Sequence, residues 1–67
     1  MDVCKRLGAN VKRLRKAAGI SQEEFADLAE INRTYLSDIE RGARNPTVIV
    51  VARIADALKV SPGSLLD

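Results

Sequence analysis

Sixty-seven residues make one domain, 1–67, with a modest core to which nearly every helix must lend a face. Hydrophobic residues supply 46% of the chain but Phe25 and Tyr35 are its only aromatics, which predicts an aliphatic, helix-on-helix core rather than a small β-barrel. A formal charge of +2 is weak evidence for a polyanionic partner, while a single cysteine and no histidine exclude an internal disulfide, a cysteine-based zinc site and histidine chemistry.

The first helix is predicted from near Asp2 to Ala18, because Cys4, Leu7, Val11, Leu14 and Ala18 recur at steps of three and four. Gly19 should end it, with Ile20 packing back on the last turn. Cys4 fits a small buried hydrophobe. Lys5, Arg6, Lys12, Arg13, Arg15 and Lys16 crowd this helix, whereas Glu23, Glu24, Asp27 and Glu30 make the next one acidic. Such asymmetry either builds a positive face on a near-neutral molecule or is ordinary solvated helix surface.

Two short amphipathic helices follow. Ser21 with Glu24 three residues on reads as a capping box, with Phe25, Leu28 and Ala29 on one stripe and small Ala26 where the helices approach. Asn32 can cap the next helix, whose stripe is Tyr35, Leu36 and Ile39, and Gly42 offers a left-handed stop. Helices this short need a partner to dock on. The pair, residues 22–41, has the form of a helix-turn-helix, which presents its second helix to the DNA major groove.

Asn45-Pro46-Thr47 breaks the chain, since proline forces its predecessor out of helical geometry and threonine can cap what comes next. Val48–Leu58 is rich in β-branched residues, but a lone strand has no partner here, so it is read as a helix with Val48, Val51, Ile54, Ala55 and Leu58 inside. A last short helix should start at Ser61-Pro62, with Leu65 and Leu66 plugging into the bundle.

Taken together, Leu7, Val11, Leu14-Arg15, Gly19, Ser21-Gln22-Glu23-Glu24-Phe25-Ala26, Tyr35-Leu36-Ser37, Ile39-Glu40-Arg41-Gly42, Asn45-Pro46, Ile54-Ala55, Leu58 and Val60 give the chain its family likeness. It resembles the XRE family of bacterial and phage regulators, the lambda-repressor and Cro-like DNA-binding domains. The resemblance implies an all-α, compact five-helix fold and sequence-specific binding of double-stranded DNA, usually as a homodimer on a palindromic operator. It also implies an Arg15–Glu40 ion pair, partly buried and bidentate, that sets the angle of the third helix. Glu30 and Lys59 stand where the family often has glycine in a left-handed conformation, which costs roughly 1 kcal/mol for another residue. The run Arg33-Thr34-Tyr35-Leu36-Ser37 with Arg44-Asn45 further resembles small controller proteins of restriction–modification systems.

On this resemblance Arg33, Thr34, Ser37 and Asp38 face base edges. Arg33 suits guanine and Thr34 a thymine methyl or a phosphate. Asp38 could accept from cytosine or orient Arg33 or Arg41, and a solvated polar side chain remains an equal alternative. Gln22, Tyr35, Arg41, Arg44 and Asn45 are the phosphate candidates, Gln22 because it opens a helix whose N–H groups attract anions. Ile49, Val50, Leu65 and Leu66 are the candidate dimer surface, as apolar residues expected to be exposed in the C-terminal half. No ligand-sensing domain, cofactor, metal, small-molecule ligand or membrane contact is expected, and the compartment would be the cytoplasm, on the nucleoid. A competing class is an antitoxin or adaptor that uses the same fold to hold a protein through the Ile49/Val50 patch. Without histidine, paired carboxylates in a cleft or a phosphate-binding glycine loop, an enzyme is the poorest reading.

Overall fold

In the computed structural model, which describes residues 2–67, Asp2 opens the first helix, its carboxylate accepting from the N–H groups of Cys4 (3.0 Å) and Lys5 (3.2 Å). Helix α1 then runs Val3–Ala17. Its inner face is Leu7, Gly8, Val11 and Arg15; Cys4 and Leu14 are only half-buried and Ala18 is exposed. The predicted stripe is therefore rotated, because a hydrophobic pattern counts neither a glycine nor an arginine as core. Gly8 explains the rotation: a Cβ there would lie 2.1 Å from the Ile39 carbonyl oxygen, so only glycine lets α1 approach the neighbouring backbone this closely.

Gly19, at φ +73°, turns the chain, and the Ser21 hydroxyl accepts from the Glu24 N–H (3.1 Å) at the start of α2, Gln22–Ala29. Only this hydroxyl half of the expected capping box forms. Phe25, Ala26 and Ala29 are the buried face, centred on the side that meets the next helix, and Leu28, expected inside, is 56% exposed as a result. Glu30 takes the left-handed conformation (φ 58°) that a glycine would hold without strain. Asn32 caps α3, Arg33–Glu40, by accepting from the Tyr35 N–H at 2.7 Å, and Leu36 and Ile39 are fully buried. Gly42 closes it at φ +73° with Lys5 pressed against it.

The β-branched segment is a helix, α4, Val48–Leu58, capped by Thr47 on the Val50 N–H at 3.1 Å. Its core face is Val50, Ile54 and Ala55, while Val48 stands 85% and Ile49 65% exposed. The expectation had Val48 inside and Val50 outside. In a first turn reading Val-Ile-Val-Val, hydropathy cannot choose the rotation; packing on α2 does. Lys59 repeats the left-handed stop at φ 59°.

The fifth predicted helix is a 3-10 turn, Pro62–Leu66, and the Ser61 side chain makes no cap bond. Five residues containing a proline and a glycine are too few for an α-helical hydrogen-bond ladder. Leu65 plugs into the bundle as predicted and is fully buried within its own chain, which removes it from the candidate dimer surface, whereas Leu66, predicted to plug in beside it, is 45% exposed. Asn10 holds this turn on α1 by donating its amide to the carbonyls of Leu65 (2.8 Å) and Asp67 (3.0 Å).

The described residues thus form four α-helices and a closing turn, without strands. α1 lies against α3 and the turn, and α2 against α3 and α4. Phe25, Leu36, Ile39, Ile54, Leu65 and Val11 fill the centre. No helix among them is long and apolar enough to cross a membrane.

Candidate nucleic-acid interface

Leu36 and Ile39 anchor α3 to the core, which turns its opposite side outward. On that side Arg33 and Thr34 are exposed, and Ser37 and Asp38 are half-buried. The grouping predicted from spacing is therefore present, with its N-terminal members the most open. Arg33 extends beside Glu23 of α2, at 3.7 Å, with the two side chains 63% and 77% exposed. So open a pair is weak and leaves the guanidinium available.

Beneath this surface lies the buried Arg15–Glu40 pair. Arg15 donates Nε to one carboxylate oxygen (2.7 Å) and Nη2 to the other (3.0 Å), the bidentate geometry that the resemblance implies. Nη1 also donates to the Ile20 carbonyl at 2.7 Å, tying the end of α1 to the entry of α2. With side chains only 8% and 3% exposed, the pair is more deeply buried than expected. Burial pushes the Glu40 carboxyl up, but hydrogen bonds from Arg15 and Gln22 and the charges of Arg15 and Lys12 outweigh it, holding the group below the usual carboxylate range. The bond to Glu40 raises Arg15 despite desolvation.

Gln22 joins this network. Its amide Nε2 donates to Glu40 Oε1 at 3.0 Å, while the residue stands half-buried as the first of α2. An amide nitrogen carries two protons, so one N–H remains for an anion beside the unpaired backbone N–H groups of the helix start. The phosphate-binding expectation for Gln22 thereby gains a support that spacing did not reveal: its rotamer is held from below by Glu40.

On the far side of α3, Arg44 stacks over the Tyr35 ring, 4.5 Å from its centroid. Asp38 pairs with Arg41 and lies 3.7 Å from Arg44. Tyr35, Arg41, Arg44 and Asp38 thus form one cluster, and Asn45 is exposed just beyond it. Of the partners expected for Asp38, Arg41 is within reach and Arg33 is paired elsewhere, with Glu23. The proposed dimer residues do not form one surface: Ile49 and Leu66 are exposed, whereas Val50 and Leu65 lie in the core.

Two contributors escaped the sequence reading. Gly8 sets the approach of α1 to α3, and its signal was available as the one glycine inside an otherwise regular helical pattern. The Arg44–Tyr35 stack left none, because it joins a helix to an irregular loop nine positions on.

The helix-turn-helix family model matches residues 11–65. The uncharacterised HTH-type transcriptional regulator y4dJ of Sinorhizobium fredii is 48% identical over 61 residues, 91% of this chain and 79% of its own. Among solved structures, the restriction–modification controller protein C.AhdI of Aeromonas hydrophila superposes with a TM-score of 0.89 at 35% identity, covering 92% of this chain and 94% of that one. SinR, a master regulator for biofilm formation solved in complex with DNA, gives 0.86 at 37% identity over 91% of this chain and 98% of that one.

Proposed function

Because this chain belongs to the helix-turn-helix family and is a DNA-binding transcriptional regulator, we propose that it represses as a homodimer on a palindromic operator. In this reading α3 enters the major groove, Arg33 and Thr34 contact base edges, and Ser37 lies along the same edge. Gln22, Tyr35, Arg41, Arg44 and Asn45 take the phosphates on either side. The observation that carries it is the α3 surface: a helix anchored by Leu36 and Ile39, open at Arg33 and Thr34, and flanked by the Glu40-held Gln22 and the Tyr35–Arg44 stack. Two protomers would place their α3 helices in successive major grooves about 34–36 Å apart. Val48 and Ile49 on α4 and Leu66 in the closing turn are the exposed apolar candidates for that pairing. Residence in the cytoplasm, on the nucleoid, accompanies this function.

A controller role in a restriction–modification system is the second reading, favoured by the likeness to C.AhdI over nearly the whole of both chains. Selection of bound duplexes from a randomised pool tests the first proposal directly. Recovered sites should be inverted repeats with half-sites about 10–10.5 base pairs apart, centre to centre. Enrichment of a single asymmetric half-site would reject the dimer, and no enrichment would reject operator recognition. On the recovered site Arg33→Ala should relax one base position. Gln22→Ala or Arg44→Ala should weaken all duplexes alike and flatten the salt dependence.

A further inference from the structure

Asp38 sits on the outward side of α3, the side that the interface reading turns to DNA, and it meets two guanidiniums at once. One carboxylate oxygen holds Arg41 and the other lies 3.7 Å from Arg44, which is itself stacked on Tyr35. The acid is the inner member of the cluster, its side chain 24% exposed against 64% for Arg41 and 49% for Arg44. It therefore sits behind the two cations that would reach a phosphate first.

A carboxylate in this place has two effects on a duplex. Its negative charge opposes phosphates within about 8–10 Å, whatever the base sequence. Its hydrogen bond to Arg41, and its charge 3.7 Å from an Arg44 guanidinium already stacked on Tyr35, also bias both cations to one arrangement beside α3, which meets phosphates best when the helix is seated in register. A misregistered duplex must pull them off Asp38 before it can use them. The first effect weakens every complex; the second returns affinity to the correctly seated one, because groups already in place need no ordering.

We propose that Asp38 is a specificity-determining positioning residue: acting through Arg41 and Arg44, it suppresses binding to random DNA more than binding to the operator, without reading a base. This rests on the interface reading above, and its failure can be told apart from the failure of that reading.

The experiment uses the full chain, a duplex recovered by selection, and a scrambled duplex of equal length, with circular dichroism verifying that each variant is folded. Asp38→Asn keeps the shape and removes the charge. Random-duplex affinity should rise roughly threefold to tenfold at low salt, while selected-duplex affinity changes by less than about threefold, so the ratio between them falls. Base preference at each selected position should stay as it was. In an Arg41→Gln, Arg44→Gln background the same substitution should leave the ratio unchanged. Equal shifts on both duplexes, no shift on either, or a change in the ratio that survives in that background overturns the proposal. So does a changed base preference at one position, which would make Asp38 a direct reader. If wild-type protein binds neither duplex, or Arg33→Ala and Arg44→Ala bind both as wild type does, the interface reading itself fails.

Discussion

Replacing Arg15 by methionine should unfold much of the population, whereas replacing Arg15 and Glu40 together by apolar residues should not. The single change removes both bonds to the Glu40 carboxylate and the bond to the Ile20 carbonyl, leaving a side chain only 3% exposed with Gln22 as its remaining partner. Breaking a buried pair from one side costs about 3–5 kcal/mol, while an apolar replacement of both partners is often neutral or better. A chain of this size has about 3–10 kcal/mol of total stability, so the single loss is a large part of the whole. Urea denaturation followed by far-UV circular dichroism reads the difference. With a slope near 1 kcal/mol per M, Arg15→Met should lower the midpoint by about 3–5 M, and Arg15→Met, Glu40→Leu should lie within about 1–2 M of wild type.

Acid should expose the same pair. The Glu40 carboxyl is held below its ordinary value in the fold, so the unfolded chain binds that proton more readily. Its contribution is complete above the ordinary carboxylate range and disappears as pH falls through the lower folded value. Glu40→Gln should be less stable at neutral pH and lose less on acidification. Single-mutant losses under about 1 kcal/mol, as for an exposed pair, or a double mutant that loses the sum of the singles, would refute the reasoning.

Gly8→Ala, usually a gain inside a helix by about 1 kcal/mol, should here lower the melting temperature, because the new methyl meets the Ile39 carbonyl; an unchanged or raised value would show that α1 can move away. Glu30→Gly and Lys59→Gly should each stabilise by about 1 kcal/mol, seen as thermal midpoints raised by roughly 4–8 °C. An Ile49→Glu, Leu66→Glu variant should sediment as a monomer with its melting curve little changed, and a retained dimer would reject this surface. Leu65→Ala should instead destabilise by about 2–5 kcal/mol, since that side chain is fully buried in its own chain.

Caps and breaks were readable from the amino-acid order because they are local chemistry. Ser21, Asn32 and Thr47 each accept from the N–H three residues on, at the helix starts their positions predicted. The helical reading of Val48–Leu58 also stands, since the chain has no partner strand to offer it. The α3 face was legible for the same reason: residues at i, i+1, i+4 and i+5 share a side wherever the helix is placed. The fixed rotamer of Gln22 and the tethering of Arg44 were not legible, because each depends on an atom brought from another element.

The order of residues alone determined an all-helical chain, its helix starts and stops, and which side of α3 would be polar, because backbone hydrogen bonding and side-chain periodicity act over a few positions. Tertiary packing alone decided how far each helix turns about its own axis. That choice buried Val50, exposed Leu28 and Val48, and admitted α1 to α3 at Gly8. Hydropathy is nearly indifferent to rotation in an apolar run such as Val48–Val51, whereas close-packed neighbours accept a single fit.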